Sequence, residues 1–156
     1  MKIRPYQPED AGRMEDIFLR AVRKIGREFY SAEQVAAWSG PRVSAERLDG
    51  LYSDGRVTFI ATDREDRAIA FSDHAADGHI DMLYCDPAFA RQGVATALLE
   101  AVESNARSVG IDRLFTEASE AAKPVFRKAG FLILRRRELN VDGVSIHNWA
   151  MEKRLA

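Results

Sequence analysis

The spacing of apolar residues changes part-way along the chain, and the change separates a helical first third from a strand-rich remainder. Met14, Ile17, Phe18, Ala21, Val22 and Ile25 recur at helical spacing and predict one amphipathic helix, with Pro8-Glu9-Asp10 placing acids at the positive end of its dipole. Ile3 begins a short strand before it. Ser31 with Gln34 has the form of a capping box and opens a second short helix through Val35 and Trp38, while Ser44, Arg47 and Leu48 predict a third that fades near Gly50. From Val57 the pattern shortens: 57–61 reads as a strand, 63–67 as a polar turn and 68–71 as the partner strand. A further strand, 79–85, completes an antiparallel meander, and simple alternation puts His79, Asp81, Leu83 and Cys85 on one side of it.

Asp86-Pro87 stops that strand, because proline restricts the residue before it and cannot donate to a ladder. A long helix follows, with Val94, Leu98, Val102 and Ala106 as its apolar stripe and Gly110 placed to end it. Leu114-Phe115-Thr116 is then reached by a helical crossover, so it is expected to run parallel to the strand ending at Cys85. Val125, Phe126 and Ala129 lie in a short helix that ends at Gly130 and that Pro124 either starts or bends. Strands 131–139 and 145–151 are joined through Asp142-Gly143, a hairpin signal. The predicted fold is α/β (α+β), a mixed central sheet with helices on both faces, in one domain over residues 1–156.

Composition narrows the class. A chain of 156 residues with 46% hydrophobic content can build one sizeable core. Its 23 basic and 24 acidic residues leave a net charge of -1, so no global field draws it to nucleic acid or to a membrane. The one cysteine, Cys85, has no partner for an internal disulfide, and no Cys or His pair has metal-ligand spacing, so no metal is expected. The N-terminus lacks the apolar core of a signal peptide and no run is long enough to span a bilayer; together with the cysteine usage this predicts a cytoplasmic location.

The candidate chemistry lies in 82–99, a strand, a proline-bounded turn and a helix start. Amides in the turn and first helical turn lack internal acceptors and, with the helix dipole, form a site for an anion such as pyrophosphate. Gly93 removes a Cβ that would hold phosphate oxygens away, Val94 turns inward, Ala95 and Thr96 leave the start uncrowded, and Arg91 and Gln92 precede them, Arg91 with a positive charge. The stretch Ala90-Arg91-Gln92-Gly93-Val94-Ala95 resembles the loop of the GNAT superfamily of acyl-CoA-dependent N-acyltransferases: Gln or Arg, two variable residues, Gly, one variable residue, then Gly or Ala. Ala90 departs from that pattern, which removes a side-chain contact and leaves the backbone cradle. The resemblance extends through the meander, the loop, Ala129-Gly130-Phe131 and the closing hairpin. More loosely, residues 30–38 with the ending Trp149-Ala150-Met151-Glu152-Lys153 look like the YafP-type bacterial members.

That resemblance implies a splayed sheet, acetyl-CoA as co-substrate, and direct transfer of its acyl group to the amine of a small molecule or peptide in a ternary complex. It also implies that Leu83, Tyr84 and Cys85 offer backbone to the pantetheine arm, and that the N-terminal helices with Tyr30 and Trp38 wall the acceptor pocket. An amine must be neutral to attack, so the site needs a base, and His79 and Asp81 are the candidates. Phe126 stands where many members carry a tyrosine that protonates the departing thiolate, and phenylalanine cannot donate a proton. Cys85 lacks the cationic setting of a nucleophile, and His74 and His147 lack any partner spacing. Arg135-Arg136-Arg137 alternate faces on a strand and fit a solvated edge, although the terminal hairpin also offers a surface for a homodimer. Two alternatives stay open: an acyl-CoA sensor without turnover, and a site for another phosphorylated ligand.

Overall fold

The structure, a computed structural model, describes residues 1–39, 44–52 and 54–155. Strands β1 (Lys2–Pro5), β2 (Val57–Thr62), β3 (Ala68–His74), β4 (His79–Ile80), β5 (Leu83–Cys85), β6 (Arg113–Ala118), β7 (Leu132–Val141) and β8 (Val144–Arg154) fall into two sheets, ordered β1-β2-β3-β5 and β4-β6-β8-β7. The first sheet is antiparallel throughout, and in the second β4 and β6 are the parallel pair. The helices are α1 (Ala11–Lys24), α2 (Ala32–Trp38), α3 (Ala45–Tyr52), α4 (Val94–Ser108) and α5 (Lys123–Lys128). None is long and apolar enough to cross a membrane among the described residues.

Local signals in the chain set most of these elements. The Ser31 Oγ accepts from the Gln34 N–H at 3.1 Å while the Gln34 side chain accepts from the Ser31 N–H at 2.9 Å, which closes the capping box that opens α2. Pro124 sits in the first turn of α5 and starts it. Asp142 and Gly143 have φ of 51° and 83°, the two left-handed residues that a tight hairpin between right-twisted strands requires. The stripe Val94, Leu98, Val102 and Ala106 is buried along α4. Helix α4 covers one face of the first sheet, packing Val94 and Leu98 on Ala61, Ile69 and Ala70; α1 covers the other, packing Met14, Phe18 and Val22 on Ile60 and Phe71. Strand β3 lies between them and is buried at every position.

Two expectations about the sheet are corrected. The predicted strand 79–85 is two strands that belong to different sheets, because the chain leaves its neighbour at Asp81-Met82. The supposed row His79, Asp81, Leu83 and Cys85 is therefore interrupted, since alternation does not carry across a change of sheet. The expected parallel crossover is met in the first of the two strands, where β6 runs parallel to β4 with His79 opposite Phe115. Strand β3 also continues past Phe71 through three buried polar residues, Ser72, Asp73 and His74. These are tolerated inside because each is hydrogen-bonded: the Ser72 hydroxyl donates to the Met82 carbonyl at 2.8 Å, and the His74 ring is held by the Ala75 carbonyl and by the Asn105 side chain.

Candidate active site

The change of sheet is produced by a side chain. One Asp73 carboxylate oxygen accepts the N–H of Asp81 at 2.8 Å and that of Met82 at 3.4 Å, taking the place of a strand partner where β4 ends and β5 begins. Past that point β5 stays with β3 and β6 stays with β4, so a gap opens between β5 and β6. The Asp86 N–H bonds to the Ile69 carbonyl at 2.8 Å. Antiparallel alternation then makes Tyr84 and Phe71 the next bonded pair and turns the N–H and C=O of Leu83 and Cys85 toward the gap. Tyr84 directs its backbone at β3 and contributes its side chain instead.

Beyond β5 the chain is anchored before it turns. Asp86, buried, accepts from the Ala88 N–H at 2.9 Å and from Arg13 and Arg20 of α1, which pins the loop to the first helix. Burial pushes the Asp86 carboxyl up, but the Ala88 N–H and the two guanidinium groups outweigh it and hold it below the usual carboxylate range. Arg91 and Gly93 then adopt left-handed backbone, with φ of 62° and 80°. Gly93 is the N-cap of α4, so the amides of Val94, Ala95 and Thr96 have no carbonyl of a preceding turn to bond. A Cβ built on Gly93 meets nothing within 4 Å, so the space beside that residue is open. A helix N-terminus with free amides, a neighbouring Arg91 and unfilled space fits a diphosphate.

Between the splayed strands and the N-terminal helices lies a cavity of about 550 Å³. Its aromatic wall is Phe18, Tyr30, Trp38 and Tyr84, with Tyr30 and Trp38 edge-to-face at 5.5 Å and Phe18 and Tyr84 at 4.9 Å. Leu83 and Phe126 add apolar lining, and Arg47, Asp81, Glu117 and His147 are the ionisable groups beside several neutral polar ones.

A family model for the acetyltransferase (GNAT) domain matches residues 27–154. The chain belongs to the GNAT family. It is an acyltransferase of the N-acetyltransferase type. It is 29% identical to the uncharacterized N-acetyltransferase YafP of Escherichia coli (strain K12) over 97% of this chain and 94% of that protein. A solved GCN5-related N-acetyltransferase from Rhodopseudomonas palustris, described also as a class-II aminotransferase, superposes with a TM-score of 0.91 at 32% identity, covering 99% of this chain and 95% of that one. The PaiA N-acetyltransferase of Thermoplasma acidophilum, solved with coenzyme A, has the same fold at 19% identity and a TM-score of 0.79, with 98% of each chain covered.

Within this GNAT chain the expected residues separate into groups. Tyr30, Trp38, Asp81, Leu83 and Tyr84 meet around the cavity, while 91–96 stand at the start of α4, outside its lining. His79 does not line the cavity; it stacks on Phe115 and its Nε2 lies 2.7 Å from Glu117, whose hydrogen bond raises the His79 pKa and so favours the imidazolium. Asp81 is paired with Arg56 at 3.1 Å, and the same guanidinium approaches Asp73 at 3.9 Å. Cys85 is a poor nucleophile, since burial and the nearby Asp86 push its thiol up to about 11.

Sequence reasoning missed two groups. Glu117 lines the cavity from β6 beside His79, and His147 lines it from β8. His147 does have a partner: its Nε2 lies 2.7 Å from Glu120, which also accepts from Trp149 Nε1 at 2.6 Å and pairs with Lys123 at 3.1 Å. Burial pushes Glu120 up, but these three donors outweigh it and bring its carboxyl down to about 2. Tyr30 ties the cluster to the N-terminal helices, its hydroxyl accepting from the Glu120 N–H at 2.9 Å and donating to the His147 carbonyl at 3.0 Å. The signal available beforehand was only an alternating strand with a histidine in it.

Proposed function

We propose that the chain transfers the acetyl group of acetyl-CoA directly to the amine of a small molecule or peptide, with both substrates bound at once. The observation that carries this reading is the gap between β5 and β6, flanked by the open amide cradle at Gly93 on one side and the aromatic cavity on the other. Acetyl-CoA, when bound, supplies an activated thioester carbonyl. Arg91, Gln92, Gly93, Val94, Ala95 and Thr96 hold its diphosphate through the loop backbone and the Arg91 charge. The Leu83-Tyr84-Cys85 segment pairs with the amides of its arm, through the outward N–H and C=O of Leu83 and Cys85. Tyr30 and Trp38 hold the apolar body of the acceptor, and Asp81 draws its ammonium group into the cavity. His79 acts behind Asp81, as the residue that fixes Glu117 in the wall.

Calorimetric titration with CoA, acetyl-CoA and ATP tests the ligand, with tight binding of the first two and none of ATP expected. Thiol release from acetyl-CoA in the presence of primary amines tests turnover. Binding without thiol release for any amine identifies a sensor, and preferential binding of ATP refutes the acetyl-CoA site.

A further inference from the structure

We infer that His147, oriented by Glu120, is the group that takes the proton from the acceptor amine. The inference rests on the acetyl-transfer reading above. The indole N–H of Trp149 and the Nε2 of His147 share one carboxylate oxygen of Glu120, at 2.6 and 2.7 Å. A carboxylate can only accept, so Nε2 carries the hydrogen, and in the neutral form of the ring Nδ1 is the nitrogen with the lone pair. Nδ1 has no hydrogen-bond partner among the described residues, His147 is one of the residues that line the cavity, and its ring lies 5.5 Å from that of Tyr30, another of them.

The other acidic groups of the cavity already have a basic partner. Asp81 Oδ2 receives Arg56 at 3.1 Å, and Glu117 Oε1 receives His79 at 2.7 Å. His147 is the one imidazole among the lining residues. It is held firmly, since its carbonyl accepts from Tyr30 and its ring sits between Tyr30 and Trp149, with centroids at 5.5 and 6.1 Å. The charges around it are Glu120, Lys123 beyond Glu120, and Glu138 opposite on β7, itself paired with Arg136. An imidazole whose second nitrogen is fixed by a carboxylate is the arrangement that presents a base in one orientation.

The step balances on protons. The ammonium group gives its first proton to Nδ1, and the freed amine bonds to the thioester carbon. The carbon–sulfur bond then breaks, the second N–H proton leaves with the thiolate, and the imidazolium releases its proton to water. Glu120 is a positioning residue in this scheme, because it acts through His147.

The protein has three histidines, so ¹⁵N-histidine labelling resolves each ring. His147 is expected in the Nε2–H form in wild type and to lose that preference in Glu120→Ala, which removes the accepting oxygen. In thiol-release assays with 2-phenylethylamine, spermidine and glycinamide as probe amines, the fastest of them is used for the variants. His147→Ala is expected to lower kcat/KM about 100-fold, to recover at least tenfold of that with added imidazole, and to leave acetyl-CoA binding by calorimetry unchanged. An Nδ1–H tautomer in wild type, a loss smaller than about threefold, or a loss that imidazole does not restore overturns the base role alone. Absence of acetyl-CoA binding, or of thiol release with every probe, in wild type overturns the transfer reading and this inference with it.

Discussion

Replacing Asp73 tests how the sheet is opened. Its carboxyl is fully buried and sits at about 6 where its ordinary value is 3.8. Burial is the largest influence and pushes it up; the Asp81 N–H pulls it down, the Asp81 charge pushes it up, and Arg56 and the Met82 N–H pull it down. Between these two values the folded chain holds a proton that the unfolded chain has lost. The displacement amounts to about 3 kcal/mol of stability that is complete below pH 3.8 and gone once the pH has risen through about 6. Asp73→Asn keeps an oxygen that can accept the two N–H groups but cannot ionise. The difference in unfolding free energy between wild type and Asp73→Asn is therefore expected to move by about 2 kcal/mol, in favour of the variant, between pH 4 and pH 7. Asp73→Ala removes the acceptor and strands the Asp81 and Met82 amides, at about 1–3 kcal/mol for each group at any pH. Urea unfolding followed by tryptophan fluorescence at pH 4, 5, 6 and 7 measures all three proteins. Curves for wild type and Asp73→Asn that stay parallel across that range would refute the account of this carboxyl.

Three other substitutions or reactions probe separate parts of the reasoning. Gly93→Ala places a methyl in open space at a φ of 80°, so it should cost only about 1 kcal/mol of stability yet weaken CoA binding at least tenfold; calorimetry showing affinity within twofold of wild type would count against the cradle. Gly78→Ala combines a φ of 93° with a Cβ 2.0 Å from the Arg113 carbonyl oxygen, and is expected to lower the melting temperature by about 10 °C, read by differential scanning calorimetry. With its thiol at about 11, Cys85 should react with iodoacetamide at pH 8 about 100-fold more slowly than a free cysteine, as followed by intact mass, and rapid alkylation would contradict its buried setting.

What could be read in advance was whatever neighbouring residues decide between themselves. The Ser31–Gln34 box, the Val94–Ala106 stripe, the Asp142-Gly143 hairpin and the helix start after Gly93 each fall within a few turns of chain, and each stands as expected. The misreadings fall where distant side chains replace backbone partners. Alternation across 79–85 fails because Asp73 captures two amides there, and β3 runs past its predicted end at Phe71 because Ser72, Asp73 and His74 find partners in Met82, Asp81 and Asn105. His147 looked unpartnered for the same reason: Glu120 reaches it only after β6 and β8 have paired, and that pairing is also what sets both beside the aromatic wall. Local consistency specifies the scaffold, and the places where a hydrophobic pattern is broken by a buried, satisfied polar residue mark where the scaffold has been opened to make a site. In this chain that residue is Asp73 at the parting of the strands, whereas the His147–Glu120 pair is half-buried, so Asp73 reports on how the sheet is opened and His147 on the cavity it lines.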